Sequence, residues 1–448
     1  MPILATLAGL VAVVIGYVFG LAFLQSRVYP LYEFEQLIQP RLIETLIVFW
    51  LLYFTGAIGS FLNVVAYRMP RARSIGGRSM CPRCMSLLRS RDNVPVLGWI
   101  ALNGRCRSCS LPISSRYPIV EAMVAISLTA IGAAQLYSLS IPGQFVHAHS
   151  GPVWTPRIST PLMIILSYHA IAVSCLWAMA LIRIDGVSLP QKLVAFSLLV
   201  GIVPILAYPT VMVVPWQSPR PVDWFPDGKY FDAIMRVITA VVTAALVGRA
   251  LAKGLCPTAD LKLDPLGRDT RKLVDLIAMI SIAALLVGWQ SLPALILMAA
   301  CLSFLLRPLL RRIPPNELPD TKVGTPRFAE RSAYETFTFA LPLATTLHLV
   351  FWRVLWRTPF WPSDQSGPYV IVTAALAVLA VPVLLKDHDR NQANVRPRID
   401  DEEDDEEAED DNEESLGITQ GSGDDLPEQE REAETDDGDH RGDHSPGP

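Results

Sequence analysis

Gly59-Ser-Phe-Leu-Asn63, Cys81-Pro-Arg-Cys84, Cys106-Arg-Ser-Cys109 and Arg116-Tyr-Pro-Ile-Val-Glu121 follow one another in a stretch that starts in one apolar segment and ends in the next. The two Cys-x-x-Cys pairs stand 21 residues apart, the spacing at which two knuckles each supply two sulfurs to one tetrahedral Zn²⁺. Four cysteines also make two disulfides where the compartment is oxidising. Residues 68–117 carry ten arginines and a single acid, Asp92, so the positive-inside rule places the loop in the reducing cytoplasm. Cys81, Cys84, Cys106 and Cys109 are therefore expected to hold a structural zinc ion.

Working outward, hydrophobic residues make up 51% of the chain and the mean hydropathy is +0.33, the signature of a polytopic membrane protein. Apolar runs long enough to span can be read at 3–24, 44–66, 118–138, 161–182, 191–214, 233–252, 336–355 and 368–385. Two shorter ones, 273–289 and 292–307, meet at Gly288-Trp-Gln-Ser-Leu-Pro293 and read as a helical hairpin. The expected fold is an all-α transmembrane bundle of about eight to ten spans with a zinc-knuckle insertion. Its parts are N-terminal helices (1–68), the Cys₄ loop (69–117), a membrane core (118–312), additional helices (313–385) and a tail (386–448). The first run lacks the positive flank of a signal peptide and is read as a retained helix.

Threading ten spans from the arginine loop puts each basic segment on one side: Arg183 with Lys192, Lys253 to Lys272, and Arg307 with Arg311 and Arg312. Both termini are then cytoplasmic. From Asp400 to Pro448 there are 23 acids against Arg431 and Arg441, while the remainder of the chain carries 36 basic and 20 acidic residues. Such a tail buries too little apolar surface to fold and reads as solvated and disordered, with no partner evident. The Pro- and Trp-containing loops at 139–160 and 215–232 suit the opposite interface. No internal repeat of fixed period, Walker loop or dinucleotide fingerprint is present, and nothing points to nucleic acid. His169, His348, Cys175 and Cys301 fall singly within spans and read as bundle residues.

The motifs of the opening stretch, with Tyr67-Arg-Met-Pro70, Asp92-Asn-Val-Pro95 and Trp99, resemble the N-terminal half of the bacterial type IV prepilin peptidases. The resemblance is dense over about sixty residues and thins afterwards. It implies a membrane-embedded aspartic endopeptidase that removes the leader of prepilin-like substrates at the cytoplasmic face, and S-adenosylmethionine as donor for N-methylation of the new terminus. In such a peptidase two carboxyl groups share one proton, one activating water while the other protonates the scissile carbonyl. The family's first acid would fall at Arg183 of Arg183-Ile-Asp185-Gly-Val-Ser-Leu-Pro190; the surviving acid is Asp185. On an ideal helix Asp185 faces some 200° away from Arg183, so it takes over only where the helix has ended. Otherwise it pairs with Arg183 or caps the next helix.

For the second acid, Asp275 stands nearly at the family's distance from Gly288-Trp-Gln290, with Asp260 and Asp269 as runners-up. Asp275 lies just inside an apolar span, where a buried charge is costly and hence a functional candidate; a surface pair with Arg271 or Lys272 is the structural alternative. Two further function classes stay open. One is a non-catalytic zinc-binding membrane scaffold in which Arg183 has removed the acid pair; the other, weaker, is a transporter.

Overall fold

The computed structural model describes residues 2–81, 83–137, 139–142, 156, 158–216, 228–311 and 331–386. The chain divides into a body, 1–388, and a stretch, 389–448; the acidic tail and most of the two Pro- and Trp-containing loops lie outside the described residues.

The body is helical. In order come α1 (Pro2–Ile15), α2 (Leu21–Val28), α3 (Phe34–Arg68), α4 (Leu97–Ala101), α5 (Arg116–Leu136), α6 (Thr160–Arg183), α7 (Gln191–Ala207), α8 (Lys229–Leu255), α9 (Arg268–Val287), α10 (Leu292–Leu310), α11 (Ala333–Arg357), α12 (Pro368–Val378) and α13 (Val381–Leu384). Helices dominate because hydrocarbon offers backbone groups no partner, and a helix satisfies them within its own segment. Each apolar run read from the sequence contains helix, but seven stretches among the described residues are long and apolar enough to cross a membrane, fewer than the eight to ten expected; Gln191–Ala207 and Pro368–Leu384 are shorter apolar helices.

Three runs differ in detail from the expectation. The first is joined from α1 and α2 by a π-helical turn at Gly16–Gly20. The run at 191–214 leaves the helix at Ala207, where Tyr208-Pro209 cannot continue it. The last is broken between α12 and α13 ahead of Pro382.

The core is built around α6, which packs against α3, α5, α7, α9 and α11. Its Trp177 is fully buried and meets Phe339 of α11 edge-on, with ring centroids 5.4 Å apart. Helices α3 and α5 pack along an extended seam. Gly59 makes that approach possible, because a Cβ there would come within 3.0 Å of the Glu121 Cα and carbonyl oxygen. Thr55 Oγ1 completes the seam, 3.1 Å from the Ala125 carbonyl oxygen and 2.9 Å from Thr129 Oγ1.

The expected hairpin of α9 and α10 is splayed. Its turn is at Gly288, whose φ of +92° suits a residue without a Cβ, but α9 packs mainly on α8, and α10 on α11. A Cβ at 288 would also collide with the buried Arg236 guanidinium, so the turn admits no side chain there.

Candidate functional site

Two features of the arginine-rich end of the bundle concentrate chemistry: a four-cysteine cluster and a buried network of acids and arginines.

The cluster is made by two equivalent turns. Cys81 N donates to Ser86 O and Met85 N to Cys81 O, each at 2.9 Å, and Met85 has φ +57°. Twenty-five residues on, Cys106 N donates to Leu111 O and Ser110 N to Cys106 O at the same 2.9 Å, with Ser110 at φ +59°. Isolated β-bridges, Met80 with Leu87 and Arg105 with Pro112, close both turns. The loop thus contains one local structural repeat that its side chains, apart from the cysteines, do not announce.

The four Sγ atoms lie within 4.8 Å of one another, and Cys84 Sγ is 3.9 Å from Cys106 Sγ. Metal–sulfur bonds of about 2.3 Å in a tetrahedron place sulfurs about 3.8 Å apart, so the set fits one metal ion. All four are free thiols in this structure. The backbone N–H groups of Cys109 and Ser108 draw the Cys106 thiol down to about 6, while burial and the neighbouring sulfurs raise Cys81 and push Cys109 up to about 11.

Beside the cluster a cleft of about 210 Å³ opens between the end of α3 and the start of α5, lined by Asn63, Tyr67, Asp92, Trp99, Tyr117 and Glu121 among others. The motif residues hold its walls. Asn63 Nδ2 donates to Tyr117 O at 3.3 Å, Trp99 Nε1 to Ile113 O at 3.1 Å, and Val96 N to Glu121 Oε2 at 2.7 Å. Arg107 grips Asp92 through two hydrogen bonds of 2.9 and 2.7 Å and holds its carboxyl below the usual range.

The acid network lies where α5, α6, α9 and α11 meet. Helix α6 ends at Arg183; Asp185 N turns back to Ile182 O, and Gly186 takes φ +72°. Asp185 has therefore left the helix, as an acid replacing position 183 requires. Its carboxylate accepts from Arg116 Nη1 at 2.6 Å and Nη2 at 2.8 Å, and Arg116, itself 1% exposed, also donates to Leu181 O at 3.2 Å. Asp275, in the second turn of α9, accepts from Leu189 N at 3.0 Å and from Arg183 Nη1 at 3.2 Å. Arg183 donates also to Val187 O at 2.7 Å, and its guanidinium lies 4.7 Å from the centre of the Tyr334 ring. Each candidate acid is thus held by a buried arginine from a different helix.

The runners-up serve their own loop. Asp260 caps a turn through Lys262 N and Leu263 N, at 2.7 and 3.0 Å. Asp269 accepts from Thr258 Oγ1 at 2.6 Å and from Lys272 Nζ at 2.9 Å.

Sequence reasoning missed the contribution of α11. Arg331 donates to the Ile184 carbonyl, Tyr334 Oη donates to Lys272 O at 2.8 Å, and Ser332 and Glu335 form a capping box that fixes the head of the helix beside the acids. The available signal was that box, Ser-x-x-Glu with an arginine before it at the start of an apolar run. The role of Arg116 was also missed, although its motif was in view.

Comparison with known proteins bears on the first part of this arrangement. Residues 54–134 match the family described as Bacterial Peptidase A24 N-terminal domain. Over 101 residues the chain is 43% identical to the prepilin leader peptidase/N-methyltransferase of Myxococcus xanthus, covering 20% of this chain and 30% of that protein. It is 43% identical over 89 residues to the type 4 prepilin-like proteins leader peptide-processing enzyme of Escherichia coli (16% and 33%). A prepilin leader peptidase/N-methyltransferase of Klebsiella pneumoniae is 45% identical over 78 residues (16% and 34%). The chain thus spans about a third of the length of these curated relatives. No solved structure matches it.

Proposed function

We propose, from the match of residues 54–134 to the Bacterial Peptidase A24 N-terminal domain, that this multi-pass membrane protein processes prepilin-like substrates, cutting their leader with Asp185 and Asp275 as the carboxyl pair. The substrate would be a membrane chain whose scissile bond reaches the arginine-rich face, which we assign to the cytoplasmic side of a bacterial inner membrane, with both termini on that side.

One contact carries the reading. Arg116 lies inside the matched segment and grips Asp185, which ties that segment to the first of the two proposed acids. In the chemistry proposed, one carboxylate removes a proton from water and the other carboxyl donates one to the scissile carbonyl oxygen. Both guanidiniums must yield to the incoming peptide for a proton to be shared, because each now holds its acid in a separate ion pair.

The four thiolates would hold Zn²⁺ as a closed structural site that braces the loop between α3 and α5. The cleft beside it offers aromatic rings, the Asn63 amide and the carboxylates of Asp92 and Glu121, a lining suited to the ring and cationic sulfonium of S-adenosylmethionine. When bound, that cofactor would supply a methyl group to the new N-terminus.

A second reading has a specific observation in its favour. Positions 183 and 275, where the resemblance expects the two acids, do face each other, but as Arg183 and Asp275 they form an ion pair. On that reading the chain binds prepilin-like segments without cutting them, as a scaffold. Expression with a prepilin-like substrate, scored by gel shift and by the mass of the new N-terminus, separates the two. Cleavage supports the peptidase, and an uncut substrate that co-purifies supports the scaffold.

A further inference from the structure

The loop between α3 and α5 folds back along α3. Pro95 Cβ lies 3.2 Å from where a Cβ would stand on Gly56. Gly56 is twelve residues before Arg68, roughly 18 Å down the helix. No charged residue occurs from Thr45 to Tyr67, so Pro95-Val96-Leu97 sits at the level of an apolar, membrane-spanning surface. Leu97 is 60% exposed, and Phe54 and Phe61 on the same apolar stretch of α3 are also exposed, at 53% and 49%.

The backbone is shaped for that position. Val96, β-branched, has φ +61° and ψ −52°, a strained γ-turn in which Leu97 N donates to Pro95 O at 2.6 Å. Val96 N is anchored on Glu121 at 2.7 Å, and Gly98 N and Ile100 N donate to Val94 O and Val96 O. With these amides satisfied, the segment tolerates a low-dielectric setting. Arg89 and Arg91 precede it and Arg105 follows it; all three are exposed, and among the described residues none has a side-chain hydrogen bond or ion pair. The local acid, Asp92, is occupied by Arg107.

We propose that Pro95–Ala101 is an interfacial wedge: Leu97 enters the acyl region of the leaflet on the arginine-rich side, and Arg89, Arg91 and Arg105 bind the headgroups of anionic phospholipids. An apolar tip flanked by arginines is the composition of interfacial anchors. The wedge also couples lipid to the cleft, since Glu121 lines the cleft and anchors Val96.

The test uses the full-length protein in nanodiscs of phosphatidylcholine with or without phosphatidylglycerol. A benzoylphenylalanine at position 97 is expected to give lipid adducts on irradiation, and the same residue at position 263, 88% exposed on the loop after α8, none. In parallel, lipid retained through purification from a mixed bilayer is quantified. Each arginine near an anionic surface contributes about a fivefold preference. Arg89→Gln/Arg91→Gln/Arg105→Gln should therefore lower phosphatidylglycerol enrichment at least about tenfold, with metal content unchanged. The single variants repeat the measurement if the triple variant loses its metal. Adducts at 97 that fall on protein alone, no adduct there, or unchanged enrichment in the variants would each overturn the wedge.

Discussion

Arg183 is the residue whose replacement separates the readings most sharply. It is 2% exposed, its Nη1 is shared between Val187 O and Asp275 Oδ2, and it covers the Tyr334 ring. Arg183→Met keeps much of the volume and the ring contact but strands Asp275, which is buried and retains only the Leu189 amide. Breaking one side of a buried pair costs about 3–5 kcal/mol, whereas replacing both partners by apolar groups of similar volume is close to neutral. Arg183→Met should then lower stability by two or more powers of ten in the folding equilibrium, and Arg183→Met/Asp275→Leu should recover most of it. The assay is reversible unfolding in nanodiscs, read as a double-mutant cycle. Equal losses in the single and double variants would refute the claim that 183 and 275 form a coupled pair. Cleavage adds a second readout. In the peptidase reading Asp275 is freed and leader cleavage persists or rises; in the scaffold reading the wild type is inactive, and only Arg183→Asp, which places two carboxyls where the ion pair now lies, gains cleavage.

Three further outcomes follow. Purified protein should carry about one zinc per chain, and Cys84→Ser or Cys106→Ser should lose it; metal analysis without zinc, with the four thiols oxidised, would refute the site. Asp185→Asn and Asp275→Asn should each abolish leader cleavage while zinc content stays normal, since an amide keeps the shape but cannot exchange the proton; cleavage by the double variant would redirect attention to Asp260 and Asp269. Cysteine-scanning labelling should reach residues 187 and 265 from the cytoplasm and residues near 150 and 225 from outside, and periplasmic labelling of 265 would overturn the topology.

Much of this molecule is decided by chain-local rules. A run of some twenty apolar residues becomes a helix in a bilayer whatever surrounds it, because only its own carbonyls can satisfy its amides; each run read as a span contains helix here. Each Cys-x-x-Cys turn closes through its own backbone and so sets its own cysteines, and Gly59 marks the helix seam because only a missing side chain lets α5 approach so closely. Only the tertiary structure decides which acid meets which arginine. Arg116 and Asp185 are 69 positions apart, Arg183 and Asp275 are 92 apart, and Arg331 reaches Ile184 across 147. Spans apolar on every side carry no periodic signal of how each helix is rotated, and a carboxylate's partner depends on that rotation and on where α6 stops. The same holds for the wedge: its residues look like an ordinary loop until α3 and Glu121 fold it back against the membrane-spanning surface.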